Sequence, residues 1–435
     1  MNIGIVGLGF VGLSLTSVLA SKGYTTIGID IDKKKCKQIV NGESPFFEPK
    51  LEKTLRDGLK KKLEISDDFS LIKNCDFIFV TVGTPQTSDG AIDLSMIKKS
   101  VAKIGKIMCG NSKNQIILIK STVTPGTMKN IVLPILEKNS KKKAGKEFGL
   151  ISNPEFLQES NAIRDTIFPH AVVLGGYNTK YMKKAKNFFS KLHPKTPIII
   201  TNHQTAEMVK YANNSFLATK ISFINQLSNI CQNIPEANID DIAKTIGLDP
   251  RIGKLFLNAG PGYGGSCLPK DMKALINFAR DVGVKPVLLN AVEEINVKQL
   301  EQIIKLIEKK LRDISSKRIT IMGTAFKPDT DDVRDSISIE LIKKLLKMKA
   351  KITVYDPKAI ENTKKIFGKK ISYENSMIHA LDKTQCAVFM THWKEFQNID
   401  NKSIRHMKRK LIIDCRRIFT GKKIDAEYYA LGIGK

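Results

Sequence analysis

The fold of this chain is decided by the stretch NIGIVGLGFVG at residues 2–12, where an apolar run ends on closely spaced glycines. The run at residues 2–6 predicts a buried strand, and a helix is predicted directly after the glycines. Gly7, Gly9 and Gly12 lie between the two, where a tight turn and close helix–strand packing both favour a residue without a side chain. This order predicts the opening of a doubly wound α/β domain.

The same turn predicts a dinucleotide site, because the unpaired N–H groups at a helix start favour a pyrophosphate. The next predicted strand, residues 25–30, ends with Asp30, about 20 residues further on. A carboxylate at this position binds both ribose hydroxyls and repels a 2′-phosphate, which favours NAD over NADP. Thr84 and Thr122 follow later predicted strands and are predicted to line the site at the carboxyl edge of the sheet.

The rest of the chain divides by its hydrophobic pattern. Short β-branched runs alternate with amphipathic stretches up to residue 201, and this alternation predicts βαβ units. Residues 205–233 then carry apolar residues at helical spacing without glycine or proline, which predicts one long helix suited to dimerisation. Strands restart at KRITIMGTAF (317–326), whose turn lacks G-x-G-x-x-G. We therefore predict two Rossmann-like doubly wound α/β domains, 1–201 and 300–435, joined by a helical domain, 202–299.

Composition excludes several classes of protein. The chain has 435 residues, of which 42% are hydrophobic and 26% charged, as in ordinary globular proteins. No apolar run reaches the roughly 18 residues of a membrane span, so no membrane partner is expected. Residues 1–10 enter a predicted strand at once, without a basic leader or cleavage site, so no export signal is expected either. The seven cysteines show no C-x-x-C spacing, so no metal site or disulfide framework is predicted and a reducing cytoplasm is favoured.

The net charge of +28 raises the question of a nucleic-acid partner. The lysines are spread along predicted helix faces, as in KNSKKKAGK (138–146), and no basic tract is interleaved with aromatic residues. A lysine-rich solvated surface is the simpler interpretation, and no nucleic acid is expected as a partner.

The stretch GPGYGGSCLPKD (260–271) sets Cys267 apart from the other cysteines. Pro269 suits the first turn of a helix, which places Cys267 at or just before a helix N-terminus, with Lys270 close by. Both features stabilise a thiolate. A nucleophilic cysteine in a protein with a nicotinamide site predicts aldehyde-level chemistry, and the glycines would give room to a sugar and its phosphates. For the remaining cysteines, burial in the core is the expected role.

Several motifs, in this order, resemble the UDP-glucose 6-dehydrogenase branch of the UDP-glucose/GDP-mannose dehydrogenase family over nearly the whole chain. They are GLGFVG, STVTPGT, NPEFLQES (153–160), EMVKYANNSFLATKISFINQL (207–227), GPGYGGSCLPKD, GTAFKPDTDDVRDS (323–336) and DCRR (414–417). The resemblance implies an NAD domain, a central dimerisation domain and a C-terminal domain for the UDP-sugar. It implies oxidation of the sugar C6 alcohol to a carboxylate with two NAD and one water, the aldehyde staying covalently held.

Catalytic roles carried over from the resemblance fall on six residues. Cys267 matches the nucleophile, and Lys210 and Asn214 match groups that stabilise oxyanions. Asp271 matches the partner that positions the water or the lysine, and Glu155 matches a general base for thioester hydrolysis. Thr122 is assigned both to this catalytic set and to the cofactor site.

Binding roles implied by the resemblance cover more positions. The residues that match NAD contacts are Gly7, Gly9, Gly12, Asp30, Lys35, Thr84, Thr122, Glu159, Lys270 and Arg334. The residues that match contacts to the sugar nucleotide are Phe156, Leu157, Gln158, Glu159, Lys210, Asn214, Arg251, Phe256, Leu257, Asn258, Ala259, Gly260, Gly264, Lys327 and Arg416. Among these, Arg251 matches an arginine that reaches the substrate of a neighbouring subunit, which implies a homodimer or larger homo-oligomer.

Two positions depart from the family pattern. Cys415 stands where glycine is usual, which puts a backbone contact in question, and His170 stands where arginine or a similar residue is common. Alternatives also stay open. The same chemistry could act on UDP-N-acetyl-mannosamine, UDP-N-acetyl-glucosamine or GDP-mannose, since pocket shape decides the sugar. A two-electron dehydrogenase or epimerase would not need Cys267, and a basic nucleic-acid-binding protein could have kept the fold.

Overall fold

The strand, turn and helix at the start of the chain form as β1 (Asn2–Val6) and α1 (Phe10–Ser21) in a computed structural model, which describes residues 1–177 and 179–434. Gly7 takes a φ of +96°, in the left-handed region that favours glycine. A Cβ on Gly12 would lie 1.8 Å from the Gly7 carbonyl oxygen, so helix and turn pack without space for a side chain.

Eight strands form the first sheet, in the order β3-β2-β1-β4-β5-β6-β7-β8. All neighbours run parallel except β6 and β7, which are antiparallel. Besides β1, the strands are β2 (Thr25–Ile29), β3 (Leu63–Ser66), β4 (Phe77–Val80), β5 (Ile116–Ile119), β6 (Gly149–Ser152), β7 (Val172–Gly176) and β8 (Ile198–Thr201).

Helices cover both faces of this sheet. In β4, Phe77 and Phe79 join one apolar cluster while Ile78 and Val80 join another, as expected when successive side chains of a strand point to opposite, buried faces. Besides α1, the helices of this part are α2 (Lys33–Val40), α3 (Leu51–Leu59), α4 (Ser95–Met108), α5 (Leu133–Ser140), α6 (Ala162–Ile167) and α7 (Lys180–Leu192).

The chain forms two compact units, residues 1–213 and 214–435. The helix α8 (His203–Cys231) runs from the first unit into the second. It is followed by α9 (Ile239–Ile246), α10 (Leu268–Asp281) and α11 (Val287–Leu311). The long helix expected from periodicity is therefore present, shifted by two residues toward the N-terminus.

The second sheet has the order β11-β10-β9-β12-β13-β14, and all its strands are parallel. The strands are β9 (Arg318–Met322), β10 (Lys351–Tyr355), β11 (Ser372–Tyr373), β12 (Cys386–Phe389), β13 (Leu411–Asp414) and β14 (Glu427–Ala430). The helices are α12 (Ile337–Lys347), α13 (Ile360–Phe367) and α14 (Met377–Leu381). The predicted class, two Rossmann-like α/β domains with a helical region between them in the chain, is confirmed.

The first turn of the second sheet differs from that of the first. Asp356, which follows β10, is 3% exposed, and its Oδ2 accepts the N–H groups of Thr324 and Ala325 at 2.7 and 2.9 Å and the Trp393 Nε1–H at 3.2 Å. Its Oδ1 accepts two further backbone N–H groups. With its lone pairs taken up by the protein, this carboxylate serves the fold, in agreement with a turn that lacks G-x-G-x-x-G.

One buried arginine ties the second unit together. Arg417 takes a φ of +56° and is 8% exposed. It donates from Nε to Asp240 Oδ1 at 2.8 Å, from Nη2 to the Ala259 carbonyl at 2.8 Å and from Nη1 to the Leu431 carbonyl at 3.2 Å. The guanidinium of Arg417 thus forms hydrogen bonds that connect the helical region to the second sheet. Among the described residues, no helix is both long and apolar enough to cross a bilayer.

Candidate active site

The turn between β1 and α1 leaves a helix N-terminus open to an anion. Gly9 is the N-cap of α1, no side chain caps the helix, and its first turn carries no acidic residue. A Cβ on Gly9 would meet nothing within 4 Å, whereas Thr81 Oγ1 holds the turn by donating to the Gly7 carbonyl at 2.7 Å. Backbone N–H groups at an uncapped helix start, with open space beside them, fit the pyrophosphate of NAD.

Asp30 lies beside this turn and is 7% exposed. Its Oδ2 accepts the Leu8 N–H at 2.8 Å and the Lys35 ammonium at 3.0 Å, so two residues predicted for the ribose are in contact. Thr84 is buried, and Thr122 is partly exposed after β5. Because Asp30, Lys35 and the glycine turn occupy one edge of the sheet, the residues present fit a dinucleotide.

A buried ion pair joins two predicted catalytic residues of the first unit. The Lys210 ammonium, on α8, donates to Glu155 Oε1 at 2.9 Å, and the two side chains are 5% and 8% exposed. Glu155 follows β6, and its Oε2 accepts the Leu157 N–H at 2.6 Å. Burial by itself would raise the pKa of Glu155, but the charge and hydrogen bond of Lys210 outweigh burial and hold that pKa below its ordinary value.

Phe156 and its neighbours surround this pair. The Lys210 Nζ lies 5.6 Å from the centre of the Phe156 ring, and the His170 ring lies 5.1 Å from the same ring. Leu157 and Glu159 are partly exposed, and Gln158 is exposed, with its N–H donating to Asp165 Oδ2 at 3.0 Å. The exposed His170 thus lies beside a predicted substrate residue.

The second unit brings Cys267, Lys270, Asp271 and Asn214 together. Cys267 is exposed and is the N-cap of α10, as the sequence predicts, with Pro269 in the first turn. The Asp271 N–H donates to the Cys267 carbonyl at 2.9 Å, which closes that turn. Asp271 is 2% exposed, and its carboxylate accepts Asn214 Nδ2 at 2.6 Å and Lys270 Nζ at 2.5 Å.

Three loops of the second unit converge around the glycine-rich stretch. A Cβ on Gly260 would lie 2.7 Å from Arg416 Nη1, and a Cβ on Gly264 would lie 2.3 Å from the Asp335 carbonyl oxygen. Gly265, at φ +84°, packs against the ring of Phe326, next to Lys327. Predicted substrate residues are therefore neighbours here. The glycines also have a packing role that the sequence analysis did not foresee, because the chain itself occupies the space beside them.

The segment 256–260 is held by hydrogen bonds within the second unit. Phe256 takes a φ of +65°, Leu257 and Ala259 are buried, and Asn258 is exposed. The Gly260 N–H donates to Asn225 Oδ1 at 2.8 Å, and its carbonyl accepts Gln299 Nε2 at 2.9 Å. Arg416 donates to the Met390 carbonyl at 2.9 Å, and burial lowers its pKa to about 10.

Arg251 and Arg334 are engaged within their own loops. Arg251 pairs with Asp249 and Arg334 with Asp332, each with an Nη2–Oδ2 distance of 2.6 Å, while the arginine side chains are 88% and 64% exposed. Any role in binding requires exchange of these partners. Cys415 is fully buried, its N–H donates to the Phe389 carbonyl at 3.0 Å and burial raises the pKa of its thiol, so this residue is part of the core. The expectation that the cysteines other than Cys267 are buried is wrong for Cys109, which is exposed because it lies at the end of α4.

Some site-forming residues escaped the sequence analysis. The Glu207 carboxylate, on α8, accepts the N–H groups of Gly126 and Met128, both at 2.7 Å, and so anchors the loop after β5. The Glu48 carboxylate accepts the N–H groups of Ser160 and Ala162 at 2.7 and 2.8 Å and fixes the end of the loop that carries Glu155. The sequence pattern around a glutamate in a helix or loop does not show which distant backbone groups its carboxylate will bind. No group of three or more potential ligands for a metal occurs among the residues described.

The glycine turn and Asp30 at the edge of a doubly wound sheet define the class as dinucleotide-binding proteins. The chain belongs to the UDP-glucose/GDP-mannose dehydrogenase family, whose NAD binding, central and UDP binding domains match residues 1–193, 204–298 and 320–421. NAD is its cofactor, and the chain is an NAD-dependent nucleotide-sugar dehydrogenase.

Relatives extend over the whole chain. The UDP-glucose 6-dehydrogenase AglM of Haloferax volcanii is 36% identical over 426 residues, covering 97% of this chain and 98% of the relative. The UDP-glucose 6-dehydrogenase TuaD of Bacillus subtilis is 36% identical and covers 98% and 92%. A solved UDP-glucose dehydrogenase from Pyrobaculum islandicum has a TM-score of 0.92 at 28% identity, covering 99% and 98%.

Proposed function

We propose that this enzyme oxidises the C6 alcohol of UDP-glucose to the carboxylate of UDP-glucuronate, with two NAD and one water. The observation that carries the proposal is Cys267 at the N-terminus of α10, in one cluster with Asn214, Lys270 and Asp271. A nucleophilic thiol is needed when an aldehyde must be held between two oxidations. The UDP-glucose assignment is supported by the relatives at 36% identity that carry this name.

In the proposed mechanism, bound NAD supplies a hydride acceptor for each of the two oxidations. The turn around Gly9 would hold its pyrophosphate, and Asp30 with Lys35 would hold its adenosine ribose. Thr84, Thr122, Glu159, Lys270 and Arg334 complete the proposed cofactor contacts. The N-terminus of α10 favours the thiolate of Cys267, which adds to the C6 aldehyde so that an S–C bond forms in place of the carbonyl π bond and the oxygen takes a proton.

Loss of the second hydride, with the proton of the hydroxyl group, leaves a thioester on Cys267. Attack by water then breaks the S–C bond and releases the carboxylate, the thiol and one proton. Lys210 and Asn214 are the proposed donors to the oxygen that becomes negative at each addition. The Asp271 carboxylate accepts from Asn214 and so fixes its amide. Glu155, whose pKa lies below its ordinary value, is ionised at neutral pH and is the proposed base for the water.

We also propose a homodimer built on α8. Phe216, Phe223 and Ile230 are 65%, 51% and 48% exposed. They recur every seven residues, so they form one apolar stripe along the helix. A second copy of the chain would cover this stripe, and Arg251 would then serve the neighbouring subunit's substrate. A cytoplasmic location belongs to the same proposal, because Cys267 must stay reduced to act as a nucleophile.

The decisive experiment counts NADH released per sugar nucleotide consumed. UDP-glucose is compared with UDP-N-acetyl-mannosamine, UDP-N-acetyl-glucosamine and GDP-mannose, and the product is identified by mass. Two NADH and UDP-glucuronate are expected from UDP-glucose. One NADH per sugar would contradict the covalent four-electron route, and turnover with another sugar alone would contradict the substrate.

Replacement of the nucleophile tests the thiol itself. Cys267→Ala is expected to lower formation of the acid by at least about 1000-fold, because the proposed route holds the aldehyde on this thiol. Cys109→Ala is the matched control, since Cys109 is the other exposed cysteine. Equal activity of the two variants would refute the role of Cys267.

A further inference from the structure

The glycine-rich stretch before Cys267 lies against one face of α11. Asn296, on this helix, is 7% exposed, and its amide binds both backbone groups of one loop residue. Its Oδ1 accepts the Tyr263 N–H at 2.7 Å, and its Nδ2 donates to the Tyr263 carbonyl at 3.0 Å. Glu293, three residues earlier and therefore on the same face, accepts the Tyr263 hydroxyl at 2.8 Å. Helix α11 thus holds this loop residue at its backbone and at its side chain.

A second amide of the same helix holds the start of the stretch. Gln299, three residues further along α11, is fully buried, and its Nε2 donates to the Gly260 carbonyl at 2.9 Å. Gln299 is itself fixed, because its Oε1 accepts Asn229 Nδ2, from α8, at 2.9 Å. The Gly260 N–H donates to Asn225 Oδ1, also on α8, at 2.8 Å. Amide side chains therefore bind the N–H and carbonyl groups of the first and last residues of the segment 260–263.

These contacts fix the backbone close to the proposed nucleophile. Gly262 takes a φ of +118°, and a Cβ on it would lie 2.6 Å from Asn296 Oδ1, so the loop approaches α11 too closely for a side chain. The Gly265 N–H then donates to the Arg334 carbonyl at 3.1 Å. Cys267 follows two residues later as the exposed N-cap of α10. None of the predicted catalytic and binding residues lies on α11 itself, which therefore acts on the site through this loop.

We propose that Asn296 and Gln299 are positioning residues, which hold the two ends of the segment 260–263 in the geometry that the reaction needs. Asn296 holds the end nearer to Cys267 and so sets where the thiol lies at the start of α10. Gln299 holds Gly260, a predicted contact of the sugar nucleotide. The two amides therefore serve different steps, attack by the thiol and binding of the nucleotide. This inference rests on the proposed function, because it takes Cys267 as the nucleophile and Gly260 as a substrate contact.

Steady-state kinetics with UDP-glucose separates the two roles. Asn296→Leu should lower kcat for formation of the acid by at least about tenfold with little change in KM, because a thiol displaced by about 1 Å attacks slowly. Gln299→Leu should raise KM for UDP-glucose by at least about tenfold and change kcat less. Gln302→Leu makes the same change at an exposed position of α11 and should behave like the wild type. The same pattern of losses in the Asn296 and Gln299 variants, or no loss in either, would overturn the division of roles.

Alkylation of the thiols provides a readout that does not depend on turnover. Iodoacetamide is added to the full-length chain at pH 7, and the rates at Cys267 and Cys109 are followed by mass spectrometry, with the exposed Cys109 as the internal standard. Asn296→Leu should lower the rate at Cys267 relative to Cys109 by at least about threefold, since a thiol moved from the helix start loses stabilisation of its thiolate. Gln299→Leu should change this ratio less. An unchanged ratio in Asn296→Leu would refute the positioning of Cys267 by Asn296.

A second substitution separates positioning from folding. Asn296→Leu leaves the buried N–H and carbonyl groups of Tyr263 without their partners, which lowers stability. Asn296→Ser has a shorter side chain and leaves room for water to bind these groups, so it should be more stable while the loop is no longer held. Thermal unfolding measures both variants. The serine variant is expected to show the same direction of change in kcat and in alkylation, and wild-type values of both would overturn the inference even if the leucine variant did not fold.

The two proposals fail in different ways. If the wild type releases no NADH with any nucleotide sugar, the proposed function is wrong, and the alkylation rates still decide whether Asn296 positions Cys267. If NADH is released but kcat, KM and alkylation keep their wild-type values in the Asn296 and Gln299 variants, the proposed function stands and the roles of the two amides are refuted.

Discussion

At the scale of single residues, the Glu155–Lys210 pair links stability to chemistry. Both groups are almost completely buried, and each satisfies the other's charge. Removing one member of such a pair leaves a charge without compensation, which costs about 3–5 kcal/mol. The pair therefore has to be kept intact in the resting enzyme, and the Lys210 ammonium, which has three N–H donors, can serve the proposed reaction without leaving it.

Glu155→Gln should lower the free energy of unfolding by about 3 kcal/mol at pH 7, because Lys210 loses its counter-charge. The pKa of Glu155 is lower in the folded chain than its ordinary value of 4.5. Its contribution to stability is therefore fully present above pH 4.5 and is lost as the pH falls through the lower folded value.

Urea unfolding between pH 3 and pH 7 measures this contribution to the free energy of unfolding. In the Glu155→Gln variant, the free energy should fall less steeply at acid pH, because the residue can no longer take up a proton. Glu64→Gln, at an exposed position of β3, is the control and should change neither the free energy nor its pH dependence. A Glu155→Gln variant as stable as the wild type would show that the ion pair does not form.

At the scale of elements, the turn between β1 and α1 contains glycines with two different roles, close packing at Gly12 and space for NAD at Gly9. Gly12→Ala places a Cβ 1.8 Å from the Gly7 carbonyl oxygen, so it should destabilise the chain by about 1–3 kcal/mol and abolish NAD binding. At Gly9 the added Cβ meets nothing, so Gly9→Ala should keep its melting temperature and yet bind NAD more weakly, since the methyl group would stand where the pyrophosphate approaches. Thermal unfolding and calorimetric titration with NAD distinguish the variants, and equal melting temperatures would contradict the packing argument.

Glu207 connects α8 to the loop after β5, which contains Thr122. Both carboxylate oxygens accept backbone N–H groups, so Glu207→Gln would turn an amide N–H₂ toward one of these donors. A loss of about 1–3 kcal/mol of stability is expected, with weaker NAD binding as the loop loosens. Glu207→Asp, which keeps two accepting oxygens on a shorter stem, should be milder in calorimetry and unfolding. If Gln is tolerated better than Asp, the hydrogen bonds are not what holds the loop.

The same elements show how much of the structure was predictable. The strand–turn–helix at residues 2–21 and the long α8 follow from local patterns, because glycine spacing and helical periodicity act within the segment itself. β3, β11 and β14 escaped prediction, since strands at the edges of a sheet have one neighbour and are short or carry mixed sequences such as LEIS and EYYA. The antiparallel pairing of β6 with β7 was also missed.

The candidate site, like the fold, could be predicted from the sequence only in part. Cys267 at the start of α10 follows from Pro269 and the periodicity after it. The partners of Glu207 and Glu48 do not, because they lie far from these residues in the sequence and are set by how the strands are ordered. Sequence reasoning thus proposed the reactive groups, but it did not predict the contacts that hold the surrounding loops in place.

At the scale of the whole molecule, the apolar stripe of α8 predicts the assembly. Phe216→Glu combined with Phe223→Glu should convert a dimer into monomers, because aromatic residues at the centre of an interface contribute about 2 kcal/mol or more each. Light scattering after size exclusion measures the mass. Phe168→Glu is a matched control, as Phe168 is 74% exposed but lies far from α8 in the sequence. An unchanged mass for the double variant would place the interface elsewhere.

The hydrogen bonds of Arg417 also bear on how the chain can be divided for expression. A cut after residue 299 would place Arg417 in one fragment and its partners Asp240 and Ala259 in the other. The fragment with the second sheet would then hold a buried cation that has lost its counter-charge, at a backbone conformation with φ +56°. Such a fragment should aggregate or require its complement in the same cell, so recombination between relatives is safer with residues 214–435 inherited as one block.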